Sequence, residues 1–285
     1  MTKIPTTQNL LKPLFSEILA WIYPPLCSAC KMIIPIQERF HREIYLCETC
    51  ALLLEPIGGI ICTVCGKPRE TVTSLDKTML SGDDAMNGTA CCEDDYVCKD
   101  CRARHHHFAA NRAAFIYDGI LKDMMHDMKF RARRTVAEGL GRYWAHLIVQ
   151  EKVSLPCTIT DSCVLVPLPM HVQKVKQRGY NQAEILSLQL SKHLGIPTQE
   201  VLFRIKNTAP QSGLHPAARA ENVNGVFKIN PKTFDASKQY IIIDDIYTTG
   251  ASLNECAKTL KNAGAANIYC MTTAITVKFN KGILL

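Results

Sequence analysis

The stretch at residues 240–252 constrains the fold more than any other part of the chain. It reads Tyr-Ile-Ile-Ile-Asp-Asp-Ile-Tyr-Thr-Thr-Gly-Ala-Ser, and its run of three isoleucines is typical of a fully buried strand. Residues 253–264 then repeat apolar side chains at helical spacing and end on Gly264, which predicts an amphipathic helix. Strands alternate with helices through residues 108–285, so the sequence predicts an α/β fold with a largely parallel sheet.

The segment between this strand and this helix carries candidate ligand-binding groups. The first turn of a helix leaves backbone N–H groups unpaired, and they point outward with the positive end of the helix dipole. The run that can cradle a phosphate in this way is Thr248, Thr249, Gly250, Ala251 and Ser252. Asp244 and Asp245 end the strand, where open α/β sheets bind ligands, and carboxylates accept hydrogen bonds from sugar hydroxyls or a hydrated metal ion. A phosphate beside a polyol predicts a sugar phosphate as the ligand.

These residues resemble the signature of type I phosphoribosyltransferases. In that family the two acids hold the ribose hydroxyls of phosphoribosyl pyrophosphate (PRPP) and the Thr-Thr-Gly turn holds its 5′-phosphate, so the resemblance implies these roles for Asp244, Asp245 and residues 248–252. Nucleotide triphosphatases and phosphorelay receivers also end an apolar strand in two acids. The triphosphatases need a G-x-x-x-x-G-K-[ST] loop, which this sequence lacks. Neither class has a hydroxyl-rich helix start three residues after the acids.

Eight of the 14 cysteines lie in four Cys-x-x-Cys pairs, a spacing typical of metal ligands. The first two pairs are separated by 16 residues and the last two by 32. Two such pairs can place four thiolates around one tetrahedral ion, which predicts two structural zinc ions. The predicted ligand sets are Cys27, Cys30, Cys47 and Cys50 for the first ion, and Cys62, Cys65, Cys98 and Cys101 for the second.

The cysteine pairs are also compatible with roles besides zinc binding. Disulfides are disfavoured without a secretory signal, and four redox pairs in one chain would be excessive. An iron–sulfur cluster also uses four thiolates, so the spacing does not exclude it. The polar, acidic stretch at residues 68–96 predicts an inserted loop. It contains Cys91 and Cys92, either of which could replace a ligand of the second ion.

Three regions are expected along the chain. Residues 1–23 form an amphipathic helix that packs on its own protein, with contact to a membrane surface as the alternative. Residues 24–107 form the cysteine module, including the acidic insert, and residues 108–285 form the α/β domain. Residues 1–101 hold 9 Lys+Arg against 13 Asp+Glu, so the basic surplus lies in the rest of the chain and suits phosphorylated ligands or nucleic acid. No apolar run is long enough to span a membrane, and a cytoplasmic location is expected.

Several basic or polar segments are further candidates. One basic run interleaves an aromatic residue and favours a nucleic-acid contact, against the alternative of a solvated helix end: Lys129, Phe130, Arg131, Arg133 and Arg134. Lys174, Lys176 and Arg178 follow an apolar strand at residues 163–169 and are expected to face a pyrophosphate, with Lys176 and Arg178 as the chosen pair. The three histidines at residues 105–107 are expected at the surface, because consecutive side chains do not converge on one ion. Residues 206–224 are expected to form a lid.

The order of motifs resembles the ComF family. Four zinc-type cysteine pairs are followed by Met-Lys-Phe at 128–130, Val-Pro-Leu-Pro at 166–169 and Arg-Gly-Tyr-Asn-Gln at 178–182. Polar motifs at 208–211 and 219–223 precede the ribose-phosphate signature. The acidic insert departs from the compact family pattern.

The ComF resemblance implies a double zinc-ribbon module followed by an amidophosphoribosyltransferase-like domain. It also implies a role in natural transformation, with single-stranded DNA and other DNA-uptake proteins as partners and PRPP with Mg²⁺ as the small-molecule ligand. The alternative is an active phosphoribosyltransferase of nucleotide or amine metabolism. Catalysis stays open, because no glutaminase module or base-recognition element identifies an acceptor.

Overall fold

A four-stranded parallel sheet forms the centre of the protein. The computed structural model describes residues 24–35, 37–38, 44–69, 96–207 and 223–277. Its strands follow the order β1, β6, β5, β2, and a separate antiparallel pair joins β3 to β4. The strands are β1 (Asn111–Ile116), β2 (Cys163–Pro167), β3 (Leu202–Arg204), β4 (Phe227–Ile229), β5 (Gln239–Tyr247) and β6 (Asn267–Ile275). The predicted parallel α/β class is confirmed.

Helices connect these strands and cover both faces of the sheet. They are α1 (Glu48–Leu52), α2 (Lys99–Arg102), α3 (Gly119–Phe130), α4 (Arg134–Val149), α5 (Val172–Arg178), α6 (Gln182–Leu194) and α7 (Ala251–Asn262). One apolar core contains Trp144 and Leu186 under α3, α4 and α6, and the other contains Tyr240 and Leu260 under α7. β5 lies between β2 and β6 and is buried on both sides, as its isoleucine run predicts.

Helix α4 was not predicted from the sequence. It contains two glycines, which lower helix propensity by roughly 1 kcal/mol each relative to alanine. Tertiary packing explains them. A Cβ on Gly139 would lie 2.5 Å from the carbonyl oxygen of Ile44, and one on Gly141 would lie 2.9 Å from Cβ of Gln189. These positions therefore let the cysteine module and α6 approach the backbone of α4.

The cysteine module contains the same local structure twice. In each half the first Cys-x-x-Cys pair lies on a turn. The carbonyl of its first cysteine accepts a hydrogen bond from the backbone N–H four residues later, from Lys31 to Cys27 (3.0 Å) and from Gly66 to Cys62 (2.9 Å). Lys31 and Gly66 occupy equivalent positions with positive φ. The second pair of each half begins a short helix, α1 or α2. We name residues 26–54 the first ribbon and residues 61–69 with 96–104 the second ribbon.

Both ribbons pack directly on the α/β domain. In the first, Tyr143 of α4 donates a hydrogen bond to the carbonyl of Ala51 (3.0 Å). In the second, the side chain of Asn111 on β1 donates to the carbonyl of Cys65 (2.9 Å), and the backbone N–H of Asn111 donates to Val64 (2.7 Å). Gly66 is needed there because a Cβ would lie 2.7 Å from the carbonyl oxygen of Asn111. The second ribbon thus continues from the β1 edge of the sheet.

Three predicted features fall wholly or largely outside the described residues. They are the amphipathic helix at residues 1–23, the acidic insert with Cys91 and Cys92, and most of the lid at residues 206–224. Within the part of the chain that the structure describes, no helix has the length and apolar character needed to cross a membrane.

Candidate functional site

The two predicted acids lie side by side near the carboxyl end of β5. Asp245 is 5% exposed and Asp244 is partly buried. The backbone N–H of Asp245 donates to Oδ1 of Asp244 (2.8 Å). β2 ends at Pro167 beside Ile243, so the strand next to β5 stops before the acids and leaves space above its end. This is the edge at which parallel sheets bind ligands.

A basic residue from α3 neutralises one of the acids. Nζ of Lys129 lies 2.7 Å from Oδ2 of Asp245, and Nε2 of Gln182 lies 3.3 Å from the same oxygen. Burial alone would raise the pKa of Asp245, but Lys129 and Arg178 outweigh it and lower this pKa. Burial and the Asp245 carboxylate raise the pKa of Asp244 well above its usual range. Without a bound cation, the pair therefore carries its negative charge on Asp245.

The Arg-Gly-Tyr-Asn-Gln motif at residues 178–182 builds one wall of this site. Arg178 donates to the Oε1 atom of Gln182, the residue that contacts Asp245. Gly179 ends α5 in the left-handed region (φ 87°), and Asn181 begins α6 by accepting a hydrogen bond from the N–H of Ala183 (3.1 Å). The other four positions of the motif, apart from Tyr180, thus each have an identified structural role.

Tyr180 of the same motif connects this wall to α3. Its hydroxyl donates to the carbonyl of Met128 (2.7 Å), the residue that precedes Lys129. The Met-Lys-Phe motif and the Arg-Gly-Tyr-Asn-Gln motif are therefore parts of one site, which holds Lys129 against Asp245.

A cluster of cations faces the acids from α5 and β3. Lys174 and Arg178 are four residues apart on α5 and therefore share one face, whereas Lys176 lies on another face and is exposed. Partial burial, with the positive charges of Arg204 and Arg178, lowers the pKa of Lys174. Burial lowers the pKa of Arg204, and the negative charge of nearby Asp244 partly offsets this effect. The structure thus brings Arg178 to the site with Lys174 and Arg204, and it does not bring Lys176.

The segment at residues 248–252 forms a tight turn from β5 into the start of α7. Gly250 lies in the left-handed region (φ 73°) directly before α7, whose first residue is Ala251. A Cβ at Gly250 would lie 2.5 Å from the hydroxyl oxygen of Tyr247 and 2.6 Å from its ring. Tyr247 is 4% exposed, so its ring has little room to move. The glycine is needed both for the backbone conformation and for the ring beneath it.

A Gly250→Ala variant tests this turn. On the sequence-based expectation that this turn binds the 5′-phosphate of PRPP, the variant should bind PRPP at least tenfold more weakly, because the left-handed conformation costs alanine roughly 1–2 kcal/mol and the new methyl group would displace Tyr247 or the turn. Calorimetric titration measures the effect. Gly195→Ala is the matched control, since Gly195 has φ 72° with open space around its Cβ position. Equal affinities in the two variants would show that the turn does not contact the ligand.

The basic run is divided between the site and the surface. Lys129 lies in the site, and the other charged members are paired on the surface. The carboxylate of Asp127 forms ion pairs with Arg131 (3.0 Å), Arg133 (2.8 Å) and Lys31 of the first ribbon (3.0 Å). Arg134 pairs with Glu138 at 2.8 Å. Phe130 is 71% exposed beside them.

The eight predicted metal ligands form two separate clusters, each with its four sulfur atoms within 4.8 Å of one another. Sγ of Cys30 lies 3.7 Å from Sγ of Cys47, and Sγ of Cys65 lies 3.6 Å from Sγ of Cys98. A tetrahedron with Zn–S bonds of about 2.3 Å has sulfur atoms about 3.8 Å apart. Backbone N–H groups also donate to a ligand sulfur in each cluster, to Cys27 and to Cys62. The clusters fit structural zinc, and no described cysteine forms a disulfide.

Sequence reasoning missed two features of the candidate site and misplaced one histidine. Arg204 was not among the predicted site residues, although its position directly before the predicted lid at residues 206–224 was an available signal. The pairing of Lys129 with Asp245 has no local signal, since the two residues are far apart in the chain. The expectation that all three histidines lie on the surface is wrong for His106, whose ring nitrogens are both shielded from solvent.

Known proteins resemble this chain in both of its described regions. A double zinc ribbon domain model matches residues 18–91. Competence protein F of Haemophilus influenzae is 36% identical over 106 residues, which cover 36% of this chain and 46% of that protein. The match therefore spans less than half of that relative.

Two relatives match over most of their length. DNA utilization protein YhgH of Escherichia coli is 26% identical over 79% of this chain and 96% of that protein. Competence protein ComFC of Bacillus subtilis is 25% identical over 78% of this chain and 80% of that protein. Among solved structures, a glutamine PRPP amidotransferase from Bacillus subtilis is similar with a TM-score of 0.30 and 17% identity, covering 48% of this chain and 25% of that one. That score is low, so the fold class is taken from the strand order.

The family model ends before Cys98 and Cys101, but the structure places both cysteines in the second cluster. A double zinc ribbon on a parallel sheet, with homologues named Competence protein F and ComFC, agrees with the resemblance of this chain to the ComF family.

Proposed function

We propose that this protein binds PRPP, or a related sugar phosphate, together with Mg²⁺, and that it handles single-stranded DNA in natural transformation. The observation that carries the first part is the convergence at one sheet edge of the acid pair, the cations and the turn at residues 248–252. Such an arrangement offers acceptors for ribose hydroxyls, positive charge for a pyrophosphate and N–H donors for a 5′-phosphate.

Each part of the ligand has a distinct set of partners on this proposal. Asp244 and Asp245 would accept hydrogen bonds from the ribose hydroxyls, and Lys129 keeps Asp245 ionised for that purpose. Lys174, Arg178 and Arg204 would face the pyrophosphate. Mg²⁺ would neutralise the pyrophosphate further, and its coordination by Asp244 would favour the ionised form of that acid.

The proposed role in DNA handling rests on the relatives' names and on the surface at Phe130. The relatives are called competence and DNA utilization proteins. On this surface one carboxylate, Asp127, faces the three cations Lys31, Arg131 and Arg133, so positive charge remains in excess. Phe130 directly precedes Arg131 in the chain, and its exposed ring, which contacts His126, is available to stack on a base.

Calorimetric titration with PRPP and Mg²⁺ tests the ligand site. We expect binding by the unmodified protein and its loss, by at least about 100-fold in affinity, in an Asp244→Asn/Asp245→Asn variant, because the amides no longer carry the charge that holds the ribose and metal. A Lys176→Ala variant is the control, since Lys176 lies outside the cluster. The absence of PRPP binding in the unmodified protein would overturn the proposal.

Single-strand binding at a series of salt concentrations tests the DNA surface. Replacing Arg131, Arg133 and Arg134 with glutamine should weaken the salt dependence of binding. The slope of log K against log salt concentration should become less negative by about 0.7 for each phosphate that is no longer neutralised. A Phe130→Ala variant should weaken binding by roughly 1–3 kcal/mol without changing that dependence. The Asp244→Asn/Asp245→Asn variant should bind DNA normally. Unchanged binding in both the glutamine and the Phe130 variants would exclude this surface.

The alternative proposal is an active phosphoribosyltransferase with an unidentified acceptor. The cations Lys174, Arg178 and Arg204 favour it, because they could stabilise a departing pyrophosphate. Assay of pyrophosphate release with candidate amines and bases distinguishes a catalyst from a protein that only binds PRPP. A cytoplasmic location is part of both proposals and agrees with the two clusters of unoxidised cysteines.

A further inference from the structure

A cleft separates the second ribbon from the turn at residues 248–252. One wall consists of Tyr247, Thr248 and Thr249, the residues that precede Gly250. The opposite wall comes from the second ribbon and the segment that follows it, and it comprises Cys65, Lys67, Asp100, Cys101, Arg104 and His106. The ribbon therefore reaches the same turn that the proposed function assigns to a 5′-phosphate.

Polar atoms in both walls are shielded from solvent without a hydrogen-bond partner. They are Nδ1 and Nε2 of His106 on the ribbon side and Oγ1 of Thr249 on the turn side. Buried polar groups almost always have partners, because leaving one unsatisfied costs about 1–3 kcal/mol. Two facing residues with this property indicate a polar ligand between them.

The position of His106 is fixed from both sides. The backbone N–H of His107 donates to Oδ1 of Asn254 on α7 (2.7 Å), and Nδ2 of Asn254 donates to the carbonyl of His105 (3.3 Å). The His106 ring also contacts Phe108, with 5.1 Å between ring centroids. The segment is thus attached to the same helix whose first turn forms the phosphate cradle.

Arg104 supplies the positive charge of the cleft that no ion pair within the described residues neutralises. Lys67 is paired with Asp100 at 2.7 Å, so these two residues cancel. Arg104 has no acidic group within 4.0 Å among the residues that the structure describes. The thiolates Cys65 and Cys101 add negative charge behind the wall, so an anionic ligand in this cleft would need the positive charge of Arg104.

We propose that the second ribbon forms part of the ligand site, and that Arg104 and His106 bind the 5′-phosphate of the sugar ligand from the side opposite to Thr248 and Thr249. This inference rests on the proposed PRPP function and deepens it. It assigns to the ribbon a direct contact with the ligand in addition to a structural role. A phosphate monoester, with its charge shared over three oxygens, matches the donors that converge on the cleft.

Titration with ribose 5-phosphate, in parallel with PRPP, tests this inference. We expect an Arg104→Gln/His106→Ala variant to bind both ligands at least tenfold more weakly than the unmodified protein. His105→Ala is the matched control, because His105 is exposed, lies outside the cleft and contributes only its backbone carbonyl to Asn254. The single Arg104→Gln variant changes an exposed side chain and therefore keeps the test valid if loss of His106 impairs folding.

The outcomes separate this inference from the proposal on which it rests. Weaker binding in the double variant and in Arg104→Gln, with two metal ions retained per chain and normal binding in His105→Ala, supports the ribbon contact. Unchanged binding in Arg104→Gln and in a metal-loaded double variant overturns the inference and leaves the PRPP site intact. Failure of the unmodified protein to bind either sugar phosphate overturns both.

Discussion

A Lys129→Met variant should lose about 3–5 kcal/mol of unfolding free energy at neutral pH. Lys129 forms the ion pair with Asp245 at 2.7 Å, and the Asp245 side chain is only 7% exposed. Methionine fills a similar volume but leaves the carboxylate buried without its cation. Gln182 remains at 3.3 Å and offers only a neutral donor. Urea unfolding at neutral pH measures the loss.

The pH dependence of this variant should be opposite to that of the unmodified protein. In the unmodified protein the pKa of Asp245 is lowered, so the ion pair contributes stability above the ordinary aspartate pKa of about 3.9, and this contribution disappears as the pH falls through the folded-state value. Without Lys129, burial should raise the pKa of Asp245. A carboxyl group with a raised folded-state pKa loses stability as the pH rises above its unfolded-state pKa, so the deficit of the variant should shrink as the pH falls toward about 3.9.

A double variant separates charge from packing. Lys129→Met/Asp245→Asn removes both charges, and it should recover most of the stability that Lys129→Met loses. If Lys129→Met were as stable as the unmodified protein at every pH, the ion pair would have no role in the free protein. Lys129 would then have to be assigned to the ligand-bound state alone.

Features with a local sequence pattern could be predicted, whereas contacts between distant segments could not. The isoleucine run before Asp244 defines a buried strand, and the eight spaced cysteines define two clusters, because in both cases neighbours in sequence share one structural role. The turn at residues 248–252 could be placed for the same reason. Helix α4 escaped prediction because Gly139 and Gly141 serve packing against other segments at the expense of local propensity.

The interior of the candidate site shows the same limit. A basic run at residues 129–134 favours a single exposed surface, but the end of α3 turns Lys129 toward Asp245 while Arg131 and Arg133 turn toward Asp127. Helical spacing did distinguish Lys174 and Arg178 from Lys176 in principle, since residues two apart face different sides. Only the proximity of Lys174 to Arg204, which follows from the fold, shows which of those two faces lies toward the candidate site.

Removal of metal should affect the two clusters unequally. All four sulfur ligands of the second cluster are buried, whereas Cys30 of the first is exposed and Cys47 is partly exposed. A chelator reaches an exposed ligand more readily, so we expect release in two phases, with the first cluster losing its metal first. Metal analysis should give two zinc ions per chain before release. A coloured protein that contains iron and sulfide would instead identify iron–sulfur clusters.

Substitution of one ligand in each cluster should show why the second matters more to the α/β domain. Its metal holds a turn that receives hydrogen bonds from Asn111 and Arg112 of β1, at 2.9 Å to Cys65 and 3.0 Å to Thr63. Structural zinc contributes on the order of 10 kcal/mol to such small modules. Cys62→Ser should therefore lower the unfolding temperature of the whole domain more than Cys30→Ser, each variant retaining one zinc ion. Equal thermal shifts would mean that the ribbons contribute alike to the sheet, and the burial of the second cluster would then serve only to retain its metal.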